Sequence, residues 1–422
     1  MTNLLQASRS ARLDPYGYDA LHSIAGNSYW SMPVSNWKPN QEGIGSDFVG
    51  LVQGAYKSNG VVFACELTRM ALFSEARFQF RYMNNGRPGD LFGNRDLRIL
   101  EKPWPQGTTG DLLTRMLVDA DFGGSAYVAR RNERPDRLMR MRPDWVVLVL
   151  GSQDDPDMAN IAMDAEVLGC IYHPGGVMSG HPAIPLLVEE FAQFSPIPDP
   201  LATYRGMSWL SPIIREIQAD AAATMHKLMF FQNGATPQMV VTMGPEVTPA
   251  NLQQFVQRMD AGHQGWEQAY KTLYLGGGAD VTVVGKDLAQ LDFKVTQGAG
   301  ETRIAAAAGV HPVIAGLSEG LAGSSLNAGN FTAAARLVAD RTLRPLWRNV
   351  SGSLASIVTV PGGADLWYDD RDITFLQDNA RDAADIQFID AQAIRQLVDA
   401  QFEPDSVVSG RRRCSGARAT TT

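Results

Sequence analysis

IAAAAGVHPVIAGLSEGLAGSSLNAGN, residues 304–330, is the stretch on which the reading of this chain turns. Glu319 is its only formally charged residue. So apolar a run is unusual for a surface loop, yet Gly309, Pro312, Gly316, Gly320, Gly323 and Gly329 interrupt it too often for one helix. The stretch therefore reads as a nearly neutral lining.

Strongly helical sequence flanks it. Upstream, residues 211–234 begin with Ser211 as the expected N-cap and Pro212 at the first helical position, and Asn233-Gly234 is the expected stop. Ile213, Ile217, Ala221, Met225 and Leu228 form a stripe at helical spacing. About twenty residues at 1.5 Å each give a rod of roughly 30 Å. Downstream, in residues 331–358, Leu343, Leu346, Trp347, Val350, Leu354 and Ile357 repeat at the same period, and Pro345 marks a kink or fresh start.

These segments resemble the portal proteins, the head-to-tail connectors of long-tailed double-stranded DNA phages. The matching pieces are GMSWLSPIIREIQADAAATMHKLMFFQNGATPQMVV (206–241), ETRIAAAAGVHPVIAG (301–316), SSLNAGNFTAAARLVADRTLRPLWRN (324–349) and FEPDSVV (402–408). EKPWPQGTTGDLLTRMLVDADFGGSAYVARR (101–131) fits the same pattern. Several long matches in order are far more specific than one short motif.

The resemblance implies a mixed α/β portal fold with a wing, long stem helices, a small clip and a helical crown, assembled as a ring. On this chain it implies an N-terminal arm over 1–58, the α/β wing over 59–210 and the first stem helix over 211–234. The clip follows over 235–291, the second stem segment over 292–310 and the tunnel loop over 311–330. A long tunnel and wing helix with its return occupies 331–376, and the crown 377–408. Residues 409–422, SGRRRCSGARATTT, depart from the family and read as a solvated basic tail rather than a DNA-touching one.

Composition agrees with a folded structural chain. Its 422 residues, 45% hydrophobic, suffice for two or three compact units. Lys and Arg number 37 against 45 Asp and Glu, a net charge of -8, which argues against tight nucleic-acid coating as the main activity. Cys65, Cys170 and Cys414 lie far apart without a C-x-x-C pair, so a reducing compartment is expected rather than a disulfide scaffold or cysteine zinc site. We expect neither a signal peptide nor a membrane span.

Regular structure is expected from Asn59. Val61, Val62, Cys65 and Leu72 suggest a helix, and Phe78, Phe80 and Tyr82 a strand closed by Asn84-Asn85-Gly86. A second amphipathic helix is expected over 109–122, with strands over 125–130, 145–150, 168–173 and 186–194. Leu252, Phe255, Val256 and Met259 indicate a short helix after Thr248-Pro249. Residues 270–275 and 280–284 read as a hairpin around three glycines. Residues 364–372 and a helix over 383–400 are expected in the crown.

Chemical motifs fail one after another. Gly316-Leu317-Ser318-Glu319-Gly320 matches the G-x-S-x-G elbow of α/β-hydrolases, but no histidine follows His311, so the triad order is missing. A P-loop ending at Gly285-Lys286 would need glycine at Asp280 and Ser or Thr at Asp287. His22, His173, His181, His226, His263 and His311 show no metal-binding spacing. Asp154, Asp155 and Asp157, like Asp369, Asp370 and Asp372, read as solvated acidic loops rather than calcium sites. Arg336, Arg341, Arg344 and Arg348 are expected to pair with carboxylates between subunits rather than hold DNA. No catalytic residue, cofactor or metal is expected.

The resemblance implies a channel at the capsid vertex of the virion, assembled from copies made in the host cytoplasm. Double-stranded DNA enters and leaves through it. Its implied partners are further copies of itself, twelve in all, the large terminase subunit, the major capsid protein and the head-tail adaptor, with no membrane. Leu317, Ser318, Glu319, Leu321, Ser324, Ser325, Asn327 and Asn330 are the residues expected to line the channel. The competing readings are a serine hydrolase or maturation enzyme using Ser318, and a structural adaptor without a channel.

Overall fold

Asn59 starts the first long helix of the body. In the computed structural model its side chain accepts hydrogen bonds from the Val61 and Val62 amides at 3.0 Å each, capping α2 (Gly60–Phe73). The structure describes residues 40–43, 47–84, 87–130, 133–155, 157–232, 239–242, 248, 253–254, 257, 280–283, 293–317, 328–373, 376 and 388–396. A short helix α1 (Phe48–Leu51), continued by a π-turn over Val52–Tyr56, precedes α2.

The second wing helix, α3 (Thr109–Gly123), begins with a reciprocal cap. Thr108 Oγ1 accepts from the Asp111 amide at 3.2 Å, and Asp111 Oδ2 accepts from the Thr108 amide at 3.0 Å. It ends at Gly124, whose φ is +79°. A Cβ on Gly124 would lie 2.3 Å from the Gly206 carbonyl oxygen, and one on Gly206 would lie 2.0 Å from the Gly124 carbonyl oxygen. The end of α3 and the segment at Gly206 thus meet backbone on backbone.

Four antiparallel sheets are described. Their strands are β1 (Gln41–Glu42), β2 (Arg77–Asn84), β3 (Arg87–Phe92), β4 (Ala126–Arg130), β5 (Leu138–Met141), β6 (Val146–Gly151), β7 (Glu166–Tyr172), β8 (Ile184–Leu187), β9 (Phe191–Phe194), β10 (Met239–Thr242), β11 (Asp280–Val283) and β12 (Ala364–Asp369). Spatial orders are β1-β6-β7-β8, β5-β4-β9, β12-β2-β3 and β10-β11. Strand β4 is buried on both faces, so alternation splits it between two cores. Tyr127 and Ala129 join Val146, Leu148 and Cys170 of the facing sheet. Ala126 and Val128 join Leu112, Met116, Phe80 and Trp347.

After β9 come the helices α4 (Ile214–Gln232), α5 (Phe293–Ala307), α6 (Ala328–Val338) and α7 (Arg344–Leu354). Helices α4 and α5 lie side by side. Ile214 and Ile217 near the start of α4 are buried with Ile304 and Ala305 of α5, Ala308 just past its end, Val62 and Cys65 of α2 and Phe122 of α3. The far part of α4 is open: Met225 is 54% exposed, Leu228 47% and Met229 45%. Among the described residues no helix is long and apolar enough to cross a membrane.

Several sequence expectations need correction. Residues 47–58 were assigned to the arm, yet Phe48, Leu51 and Ala55 are core residues. Glu42 is also buried, because its carboxylate accepts from the amides of Thr203, Tyr204 and Arg205 at 2.9, 3.0 and 3.1 Å. Ser211 is no N-cap; a 3-10 turn over Ser211–Ile213 leads into α4. The expected strand over 186–194 is two strands in different sheets, separated by a 3-10 turn over Val188–Glu190. Strand β11 pairs with β10, and residues 270–275 lie outside the described residues, as does nearly all of the expected helix after Thr248. Strand β12, grouped by sequence with the helix expected over 383–400, instead pairs with β2 throughout and completes the β12-β2-β3 sheet. Pro345 stands in the first turn of α7, after a π-turn over Ala339–Leu343. Residues 388–396 are helical, within the helix expected over 383–400.

Candidate functional site: the root of the channel loop

Helix α5 stops because Gly309 follows it in the left-handed region, at φ +68°. The Gly309 amide donates to the Ala306 carbonyl at 3.1 Å and the Val310 amide to the Ala305 carbonyl at 3.0 Å, a Schellman turn. Val310 is buried against the same core as Ala305, completing the apolar contact this motif favours. Past it the chain folds into tight turns. The Ile314 and Ala315 amides donate to the His311 carbonyl at 2.9 and 3.1 Å, and the Leu317 amide donates to the Pro312 carbonyl at 2.9 Å. His311 Nδ1 accepts from the Val313 amide at 3.3 Å.

Of the residues expected to line the channel, Leu317 is 8% exposed in the single chain and packs into the core shared by α2, α4 and α5. It anchors the chain where the described part of the loop ends. Ser318, Glu319, Leu321, Ser324, Ser325 and Asn327 lie outside the described residues. Asn330 belongs to the first turn of α6. The residues just before Gly316 form turns, so the strand an α/β-hydrolase elbow requires is absent there.

Below the turn lies a buried charged cluster that sequence reading missed. Arg69 of α2 donates from Nε and Nη2 to Asp121 of α3 at 2.7 and 2.8 Å. Its Nη1 donates to the Ala308 carbonyl. Burial pulls the Arg69 guanidinium down, but the Asp121 carboxylate more than offsets it and keeps the cation. No N–H donor reaches the Glu66 carboxylate, and burial, then the charge of Asp121 and a hydrogen bond to it, hold the Glu66 carboxyl well above the usual range, where its own O–H can donate to Asp121. The signal was present: Glu66 and Arg69 occupy the same helical stripe as Val62 and Phe73, where an apolar side chain is expected.

On the returning side, Thr342 of the π-turn donates from Oγ1 to the Gly309 carbonyl at 2.7 Å. Arg344 pairs with Asp340 and, at 3.1 Å, with Asp370. Its partners are therefore in its own chain, where pairing between subunits had been expected. Arg348 stands over the Trp367 ring at 5.8 Å. Asp369 and Asp370 are likewise engaged with Arg371 and Arg344, and among the described residues no group of three or more His, Cys, Asp or Glu could hold a metal ion. Burial pushes the Cys65 and Cys170 thiols up to about 12, so neither is poised as a nucleophile.

The family model for phage portal proteins matches residues 72–386, and the chain belongs to that family. A portal protein is a structural component of the virion that forms the channel for DNA at the capsid vertex.

Solved chains from gene transfer agent particles share the fold. A chain from the neck of a native gene transfer agent particle, computed with C12 symmetry, is 18% identical with a TM-score of 0.60 over 83% of this chain and 91% of that one. A chain from the virion of a native gene transfer agent is 18% identical, with a TM-score of 0.59 over 87% and 92%. An HK97-family portal protein from Corynebacterium diphtheriae is 12% identical, with a TM-score of 0.48 over 78% and 96%. No curated protein sequence matches.

Proposed function

We propose that twelve copies of the chain close into a ring through which double-stranded DNA is packaged and later ejected. Each copy meets the next through a heterologous contact, and the rotation closes. The observation that carries this reading is the open apolar stripe of α4, Met225, Leu228 and Met229, which a single chain leaves in water. A twelvefold neck assembly among the structural neighbours supports the number.

In this reading α4 and α5 form the stem wall, and the β10-β11 pair belongs to the clip, which meets the large terminase subunit during packaging and the head-tail adaptor afterwards. The body sits among the major capsid proteins of one vertex. Residues 318–330 project toward the DNA. They include no Lys, Arg or His, so they offer the phosphates little grip, and a ring of Glu319 carboxylates repels them. The chain itself hydrolyses no nucleotide; the motor supplies the energy.

Light scattering and electron images of the same purified fraction test the proposal. Twelve chains of 45.9 kDa give a particle of about 550 kDa with a central hole. A small assembly without a hole would return the chain to the adaptor reading.

A further inference from the structure

Two contacts at the exit of α5 have no role in the channel reading as stated. The Schellman turn satisfies the carbonyls of Ala305 and Ala306. The next carbonyls past the helix end, Ala308 and Gly309, need donors from elsewhere. Arg69 supplies one and Thr342 the other.

These donors differ in origin. Arg69 stands on α2 in the wing, and its bidentate pair with Asp121 fixes the guanidinium plane so that Nη1 points at Ala308. An ion pair buried this deeply is a weak source of stability compared with apolar packing. What it supplies here is direction. Thr342 stands in the π-turn between α6 and α7, on the chain returning from the loop. Its neighbour Leu343 is buried in the main wing core, which seats the turn. The Thr342 bond therefore joins the outgoing leg, residues 308–317, directly to the returning leg, residues 328–343.

We propose that Arg69 and Thr342 are positioning residues for the channel. Arg69 sets where the outgoing leg departs from the stem, and Thr342 locks that leg to its return, so the two legs move as one piece. This inference rests on the channel reading above.

Hydrogen exchange on assembled rings of Thr342→Val and Arg69→Lys tests it, alongside DNA loss from filled particles carrying each variant. Valine keeps the threonine shape and removes the donor; lysine keeps the charge and removes the fork. Amides of 308–317 and 328–338 should exchange about five- to tenfold faster, the consequence of one lost hydrogen bond. Exchange across β4, β6 and β7 should stay at the wild-type rate, and DNA loss should change. Unchanged exchange in both legs overturns the proposal. So does an equal rise across the wing strands, which is plain loss of stability, or loosened legs with wild-type DNA retention. If Arg69→Lys does not assemble, Thr342→Val decides alone. Wild-type rings without a hole would instead overturn the channel reading beneath.

Discussion

Replacing Met225 and Leu228 together by glutamine should disperse the ring and leave the single chain folded. Both side chains stand about half open on α4, at 54% and 47%. Taking about 180 Å² for either side chain fully exposed, the open half is about 90 Å², worth about 2 kcal/mol at about 25 cal/mol per Å². The pair thus contributes up to about 4 kcal/mol to each contact, or about a thousandfold in pairwise association. Glutamine has nearly the helix propensity of leucine and methionine, so α4 itself is spared. Mass photometry over a concentration series would show the ring population moving to higher concentration by orders of magnitude, with circular dichroism of the dispersed chain unchanged. Equal concentration dependence for variant and wild type would refute the assignment of this stripe to the contact.

Three further perturbations address the loop and its root. Gly309→Ala places a Cβ 2.7 Å from Thr342 Oγ1 at a residue with φ +68°. The backbone cost of about 1–2 kcal/mol and the lost hydrogen bond of about 1 kcal/mol should lower unfolding stability by about 2–3 kcal/mol; a denaturant midpoint within error of wild type would contradict this. Glu66→Gln bears on pH. Since the folded-state value of Glu66 is raised, its favourable neutral form is fully kept below the unfolded value of about 4.3, and stability falls as pH rises through that value toward the folded one. The groups facing it are Cys65, Arg69, Asp121 and Tyr56. Glutamine removes this titration, so melting curves over a pH series should show the variant gaining on wild type as pH rises; parallel curves would show that Glu66 stays ionised when folded. Glu319→Lys should slow packaging or retain DNA more tightly without disturbing assembly, as read by packaged DNA length and exit rate. Packaging at the wild-type rate with normal exit would remove Glu319 from that role.

Helices were the more legible part of this sequence, because their apolar period is local, although the punctuation expected at Ser211 failed. Asn59, the Thr108 and Asp111 pair, and the stop of α5 at Gly309 all act within a few residues of their place in the chain. Strands were less legible in proportion to how little of their identity is local. Strand β1 is two residues long and exists because Glu42 receives three amides from residues 203–205. Strand β12 was placed in the crown because its partner β2 lies almost three hundred residues earlier. The candidate site divides the same way. The apolar, Gly-rich loop is a property of composition and can be read from a line of letters. The Arg69–Asp121–Ala308 contact joins three distant segments, and only the misplaced charges on a buried helical stripe hinted at it. Residues 186–194 read as one strand because sheet membership is not encoded in alternation.

Where α3 hands over to the approach to α4, Gly124 and Gly206 exclude each other's side chains at 2.3 and 2.0 Å. Main chain meets main chain there, and the Ser125 and Ser195 hydroxyls bind the joint from the side, Ser125 accepting from the Gly206 amide at 3.0 Å and Ser195 donating to the Gly124 carbonyl at 3.4 Å. A methyl group at either position has no room, so the joint can accept one only by lifting one segment off the other.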